Sequence, residues 1–399
     1  MTARLVRVPL KRPVRHASHL RTENDTLLVR CELSDGSIGW GEALPRIYVT
    51  GESADSVVRQ LEATDFEPLT AWSFDSPETA IRAVTDFRPA MIDADAGVTP
   101  RECFGNSVRC AVELAVLDAV CRAHRVSVGE LLRSVAATAG LATQRSDVVY
   151  SGVITSVNGR IRQYRSAIKM KVFGFRNVKV KVGTDGVNDV LLLKRIRSVV
   201  GRSTDLRTDA NEAWHCEEVV DRLRQLAQFR VTCVEQPVPH AEISGLAEIR
   251  RELKRDCDAA SCVAVMLDES LCSPEDADRA IEGQICDMFN LRISKCGGLI
   301  PCLKIAQRAA AGRIGCQLGC MVGESGILSA AGRHFAANVS GLRFVEGSYG
   351  RFLVRDQLTY EDLTFGYGGR AAVLSGIGLG ITVDEGRVAA SSLRELRLL

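Results

Sequence analysis

The feature that most constrains this chain is a rhythm rather than a motif. From about residue 141 onward, short apolar runs alternate with amphipathic stretches. The runs are VVYSGVITS, NVKVKVG, DLRTDANEAW, TCVEQPV, VAVMLDES, MFNLRISKCGG, CQLGCMVGES and RFVEGS, at steps of roughly 20 to 35 residues. Between them lie helical segments such as DVLLLKRIRSVV and AEISGLAEIRREL. Apolar strands separated by helix-length crossovers make a parallel sheet covered on its outer face, and eight of them suffice to close a barrel. An open doubly wound sheet is the alternative. It would be favoured by a glycine fingerprint after the first strand, which GVITSVNGR does not supply, so a nicotinamide dehydrogenase is disfavoured as well.

The preceding hundred or so residues follow a different pattern. TLLVRCELSDGSIGWGEA places Asp35-Gly36 between two alternating runs, a β-hairpin signal. AVELAVLDAVCRA then sets Val112, Ala115, Val116, Ala119 and Val120 on one helical face. The small, polar SVAATAGLATQRSD reads as a linker. The expected division is an α+β domain over residues 1–140, a barrel over 141–350 and a segment over 351–399 that returns to the first domain. In that last segment FGYGGR reads as loop and GLGITVDEGRV as a final short strand.

Composition excludes several function classes. With 46% apolar and 25% charged residues the chain is globular, and 51 Lys and Arg against 49 Asp and Glu leave no field to gather a phosphate backbone. No run approaches the ~20 apolar residues of a membrane helix. MTARLVRVPLKRPVRH lacks the pattern of a secretory signal, so a soluble cytoplasmic protein is expected. The 14 Cys include no CxxC pair and read as reduced, mostly buried thiols.

In a parallel barrel the C-terminal strand ends converge on one mouth. Asp209, Glu235 and Asp268 end three consecutive predicted strands. Any one of them alone could be a helix cap. Three together repel unless a cation sits among them, and all-oxygen ligation points to Mg²⁺, with Mn²⁺ the alternative. Asn211, two residues past Asp209, should face the same side and orient substrate or ligand. Glu212 and Glu269 read as supporting or capping groups.

Lysine usage is the second clue: nine Lys against 42 Arg. Lys, unlike Arg, gives up its proton when desolvated beside other cations, so a strand-end Lys is informative. Lys179 and Lys181 share one face of the second strand, and Lys295 before Gly297-Gly298 is expected across the mouth. His215, His240 and His334 read as structural.

In this order KVKVG, TDANEAW, VEQPV, MLDES and RISKCGG resemble the enolase superfamily, most closely its muconate-lactonizing-enzyme subgroup; GWGEALPR and YVTGES extend the likeness into the first domain. The resemblance implies a modified TIM barrel, (β/α)7β, with an N-terminal α+β cap. It implies abstraction of the proton α to a substrate carboxylate and an enediolate held by Mg²⁺. Carried over, Lys181 is the base on one face, Lys295 the acid or base on the other and Lys179 an electrostatic partner; Asp209, Glu235 and Asp268 are the metal ligands.

Two bases permit racemisation or epimerisation of a dipeptide or N-acylamino acid, while one base permits cycloisomerisation or elimination. An o-succinylbenzoate-synthase-type dehydration is the runner-up, and a catalytically silent carboxylate-binding relative is the reading from another class. Dipeptide epimerases of the subgroup end the last strand with Asp-x-Asp to grip the substrate ammonium. Here VEGSYG offers Glu346 and Ser348, and MVGESG adds Glu324 near the substrate. Loops 16–24 and 47–50 are expected to cover the mouth, the substrate to be a small carboxylate, and the protein to form a homo-oligomer.

Overall fold

The computed structural model describes residues 1–15, 20–155 and 158–399. Strands β1 (Thr2–Arg15), β2 (Leu20–Glu32) and β3 (Ile38–Ala43) form an antiparallel meander. The β2–β3 register runs from Leu27 opposite Ala43 to Glu32 opposite Ile38. Gly36 takes φ +85 in the connecting turn, a conformation costly for any residue with a Cβ. The helix Asn106–Ala123 packs on this sheet. A Cβ on Gly41 would sit 1.8 Å from the Ala111 carbonyl oxygen, and one on Gly39 2.1 Å from the Ala119 nitrogen. The two glycines of GWGEA are thus what lets strand and helix backbones touch. The apolar face read from the sequence is buried, but so is nearly every other side of this helix, including Glu113 and Asp118.

The run VVYSGVITS divides in two. Strand β4 (Asp147–Val149) lies outside the barrel, and β5 (Gly152–Ile154) is the first barrel strand. Tyr150 donates its N–H to Gly369 O at 2.8 Å, whereas Ser151 donates to Val345 O at 2.8 Å, so the backbone changes partners between neighbouring residues. Seven more parallel strands follow: β6 (Asn177–Lys181), β7 (Asp205–Asp209), β8 (Val231–Glu235), β9 (Ala264–Leu267), β10 (Met288–Leu291), β11 (Gly315–Leu318) and β12 (Leu342–Val345). They pair in chain order, and the Ser151–Val345 bond links the last to the first. One main helix fills each of the seven connections, which makes the (β/α)7β barrel.

After the barrel, β13 (Arg370–Ala372) pairs antiparallel with β4, and β14 (Ser392–Arg397) pairs antiparallel with β1. GLGITVDEGRV is not the final strand. It makes only isolated bridges at Gly378 and Val383, and Asp384 then caps the helix Glu385–Ala390, its carboxylate accepting from Arg387 N. Among the described residues no helix is long and apolar enough to cross a membrane. All fourteen cysteines are free thiols and most are buried.

Buried carboxylates join the N-terminal domain to the barrel. Glu42 of β3 accepts from Ser325 N (2.7 Å), Ser325 Oγ (2.6 Å) and Leu328 N (2.9 Å), capping the barrel helix Gly326–Asn338. Glu113 does the same for Leu299–Ala311 through Ile300 N at 3.0 Å. These N–H groups belong to first turns with no partner inside their own helix, so an acid supplied from another domain is doubly favoured there.

Burial pushes the Glu113 carboxyl from its ordinary 4.5 up to about 7. The native state therefore holds a proton there between roughly pH 4.5 and 7 that the unfolded chain has lost, and stability falls as pH rises through that window. Glu113→Gln should flatten unfolding free energy against pH between 5 and 7, by at most about 1.4 kcal/mol per pH unit. Urea titrations across that range check it; an unchanged slope would assign the dependence elsewhere.

Candidate active site

The C-terminal strand ends open into a cavity of about 280 Å³. Lys179, Lys181, Asp209, Asn211, Glu269, Arg292, Glu324, Glu346 and Tyr349 line it from the barrel, and Arg12, Arg21, Arg46 and Tyr48 line it from the N-terminal domain. Residues 16–19 of the expected covering loop lie outside the described residues; Arg21 of that loop and Tyr48 and Val49 of the second are on the wall.

Lys179 is the hub. Its Nζ lies 3.0 Å from Glu235, 2.8 Å from Glu346 and 3.3 Å from Asp209, so carboxylates on β7, on β8 and just past β12 share one buried ammonium. Burial opposes its charge, but Glu235, Glu346 and Asp209 together hold its pKa well above that of an ordinary lysine. Burial likewise works against ionised Glu235, yet Lys179, Arg292 and Arg207 bring it down to about 2. Asn290 Nδ2 at 2.9 Å and Gln317 Nε2 at 3.3 Å complete the ring of donors around it. Lys181, two residues on and therefore on the same face, stands opposite Asp209 in the β6–β7 register and reaches the cavity.

Asp268 follows β9, buried beneath the rim. It accepts from Lys295 Nζ at 2.8 Å and from Arg292 Nη2, which also lies 3.7 Å from Glu235. The three acids thus form one chain, Asp209–Lys179–Glu235–Arg292–Asp268. Among the described residues no group of three or more His, Cys, Asp or Glu side chains is gathered around one point, because Lys179, Arg292 and Lys295 hold the oxygens. Burial raises Asp209, with Glu235 adding to the rise and Lys179 opposing it. Glu269, likewise buried and close to the charges of Asp209, Glu212 and Glu235, is pushed to about 8. Such mutual repulsion among all-oxygen donors is the chemistry a hard divalent cation relieves.

The remaining expected site residues are placed as follows. Lys295 is held on Asp268, one of the three expected metal ligands. β10 ends at Leu291, and Lys295 lies beyond it, 1% exposed and off the cavity wall. Its ammonium donates to Asp268 O (2.6 Å), Asp268 Oδ1 (2.8 Å) and Asn290 O (2.8 Å). The residue at that end of the strand that reaches the cavity is Arg292. Ser348 is also off the wall: it is buried at φ +55 and held by Arg333 Nη2 at 3.1 Å. Glu346 lines the cavity, but its oxygens go to Lys179 and to Arg207 Nη2 at 3.1 Å. Asn211 reaches the cavity by a different route from the one expected, since β7 stops at Asp209 and Asn211 turns at φ +45, its amide donating to Glu269 at 3.4 Å. Glu269 is itself a wall residue, while Glu212 accepts from His240 N at 3.1 Å. Glu324 is on the wall, accepting from Met321 N at 3.2 Å and Ser329 Oγ at 3.5 Å. His334 is structural, bonded to Leu379 O at 3.1 Å.

Sequence reasoning missed Arg207 and Arg292. Arg207 is fully buried in the barrel, 3.9 Å above the Phe344 ring and bonded to Gln317, Ser151 and Glu346. Its signal was available, because it sits two residues before Asp209 and so shares that residue's side of the strand.

Residues 162–387 match the family described as Enolase C-terminal domain-like. The chain belongs to this family. A hydrophobic dipeptide epimerase of Enterococcus faecalis is 27% identical over 314 residues, 78% of this chain and 79% of that one. A dipeptide epimerase of Cytophaga hutchinsonii, solved with Mg and D-Ala-L-Val, superposes with a TM-score of 0.79 at 24% identity over 99% of this chain and 98% of its own. A muconate lactonizing enzyme of Pseudomonas fluorescens, solved with muconolactone, gives 0.80 at 25% identity over 98% of each.

Removing Arg207 strips a buried carboxylate of one of its two cations. Arg207→Met should lower stability by about 3–5 kcal/mol, measured by urea unfolding, and a loss under 1 kcal/mol would show that Lys179 alone satisfies Glu346.

Proposed function

We propose that the protein is a metal-assisted isomerase that removes the proton α to the carboxylate of a small-molecule substrate, within the racemase, epimerase and cycloisomerase chemistry of its relatives. The observation that carries this reading is the division of labour along β6: Lys179 is clamped by three carboxylates while Lys181 reaches the cavity. In this reading residues 1–140 form the specificity cap, 141–350 the catalytic barrel and 351–399 the tie between them.

Lys181, as the neutral amine, takes the proton, and the C–H electron pair moves into the carboxylate. Lys179 stays charged beside the developing negative charge, pre-oriented by its carboxylates, so no reorganisation is needed as that charge grows. Asp209, Glu235 and Asp268 are the donors for Mg²⁺, with Mn²⁺ the alternative. When bound, the ion supplies Lewis-acid stabilisation of the substrate carboxylate. In the structure Asp268 is paired with Arg292 and Lys295. Glu346, already neutralised by Lys179 and Arg207, is poorly suited to grip a substrate ammonium, which weighs against an ordinary dipeptide grip.

Two measurements test the reading. Mg²⁺ should raise the thermal midpoint of the wild type, and Asp209→Asn should lose most of that rise. In D₂O, NMR should show α-proton exchange in at least one of a dipeptide, an N-succinylamino acid and muconolactone, slowed at least about 10³-fold in Lys181→Ala. No exchange from any of the three would remove the proposed chemistry.

A further inference from the structure

We infer that the outer face of the helix Arg160–Val172 is a docking surface for a membrane bearing anionic phospholipids, on which the protein lies without crossing it. Eight of the helix's 13 side chains are exposed. Five are cations, Arg160, Arg162, Arg165, Lys169 and Lys171. The other three are aliphatic: Ile161 at 73% exposure, Ile168 at 49% and Val172 at 71%.

A helix on the outside of a barrel ordinarily buries its apolar side and shows water a mixture of charges. Here the order is reversed. The buried positions are Gln163 and Ala167, and Gln163 accepts from Arg195 Nη1 of the next helix at 2.7 Å. At about 100° per residue, Ile161, Ile168 and Val172 fall within about 40° of one another, turned roughly 120° to 160° away from that buried side. Arg165, Lys169 and Arg162 flank this stripe on one side, and Arg160 and Lys171 on the other.

No neighbouring acid in the sequence answers these cations. Between Asp147 and Asp185 the chain holds no Asp or Glu, although its overall charge is nearly balanced. Other helices of the ring neutralise their own charges, as Arg222 does with Glu218 at 3.0 Å and Arg251 with Glu248 at 2.8 Å. Such a concentration of positive charge attracts an external anion, and the stripe decides which. A nucleic-acid backbone would draw the cations to the centre of the contact and gain nothing from three aliphatic side chains. A second copy docking through the same face would bring like charges together. A bilayer accepts both groups at once: the aliphatic side chains enter the boundary between headgroups and acyl chains, while cations on either flank stay level with the phosphates. Arg165, nearest the stripe, has a stem long enough to keep its guanidinium among the headgroups. Tyr367 extends the surface past the C-terminal end of the helix. It is 73% exposed with its ring 6.3 Å from that of Phe173, and a phenol with an apolar body and a polar tip suits the same interface.

The test is sedimentation of the full chain with vesicles of phosphatidylcholine alone or containing about 30% phosphatidylglycerol. Wild type should bind the anionic vesicles at least about tenfold more tightly than the neutral ones, and raising salt from about 50 mM to about 500 mM should release it. Each cation near the surface contributes about fivefold, so Lys169→Gln combined with Lys171→Gln should weaken binding at least about tenfold. Ile161→Thr combined with Val172→Thr, which keeps the branched shape, should weaken it by a similar factor, a loss that a purely electrostatic contact does not show. All four side chains are exposed, so both variants should keep the wild-type thermal midpoint. No binding of the wild type at low salt overturns the inference, as does equal binding to neutral vesicles or binding that the Thr pair leaves unchanged. An oligomer that the Thr pair dissociates in sedimentation velocity shows that another copy covers this face, and overturns it as well.

Discussion

The arrangement of the barrel mouth depends on one buried ammonium. Lys179 draws together carboxylates from β7, β8 and the segment after β12, and its charge opposes the protonation that burial favours at Asp209 and Glu235. The cost of desolvating so many charges is offset because each has more than one partner. Glu235 is met by Lys179, Asn290 and Gln317, and Glu346 by Lys179 and Arg207. Such a network adds little net stability over an apolar core, but it fixes Lys179 among the carboxylates of three strands.

Much of this was legible in the sequence, and for physical reasons. A period of strand plus helix repeated eight times leaves few topologies, and the acids stood out because carboxylates seldom end consecutive apolar strands without purpose. Lys179 and Lys181 were informative because the chain uses Arg almost everywhere else. VVYSGVITS misled because one apolar run serves two sheets, and only the partners at Tyr150 and Ser151 show where it divides. GLGITVDEGRV misled because its alternation reflects bridges and a helix cap, not a ladder.

Arg292 was missed for a different reason. In NLRISKCGG the scarce residue type drew attention past Arg292, which is closer to the strand end and held in place by Asp268. Strand length was the missing quantity: β10 stops at Leu291, so Arg292 is the next side chain on. Counting from the alternating positions of MFNL would have pointed there. Glu346 and Ser348 could not be judged from sequence at all, since their pairing with Arg207 and Lys179, and with Arg333, involves residues distant along the chain.

Glu42 and Glu113 reach out of the N-terminal domain to cap helices that belong to the barrel, while β14 closes the edge of the N-terminal sheet from the far side of the barrel sequence. Neither half is finished without the other: separated, one would expose bare helix starts, and the other would lose an edge strand and bury acids with nothing to hold. A nascent chain leaving the ribosome consequently cannot complete its N-terminal sheet until residues 392–397 have been made, so the two halves mature together and not piece by piece.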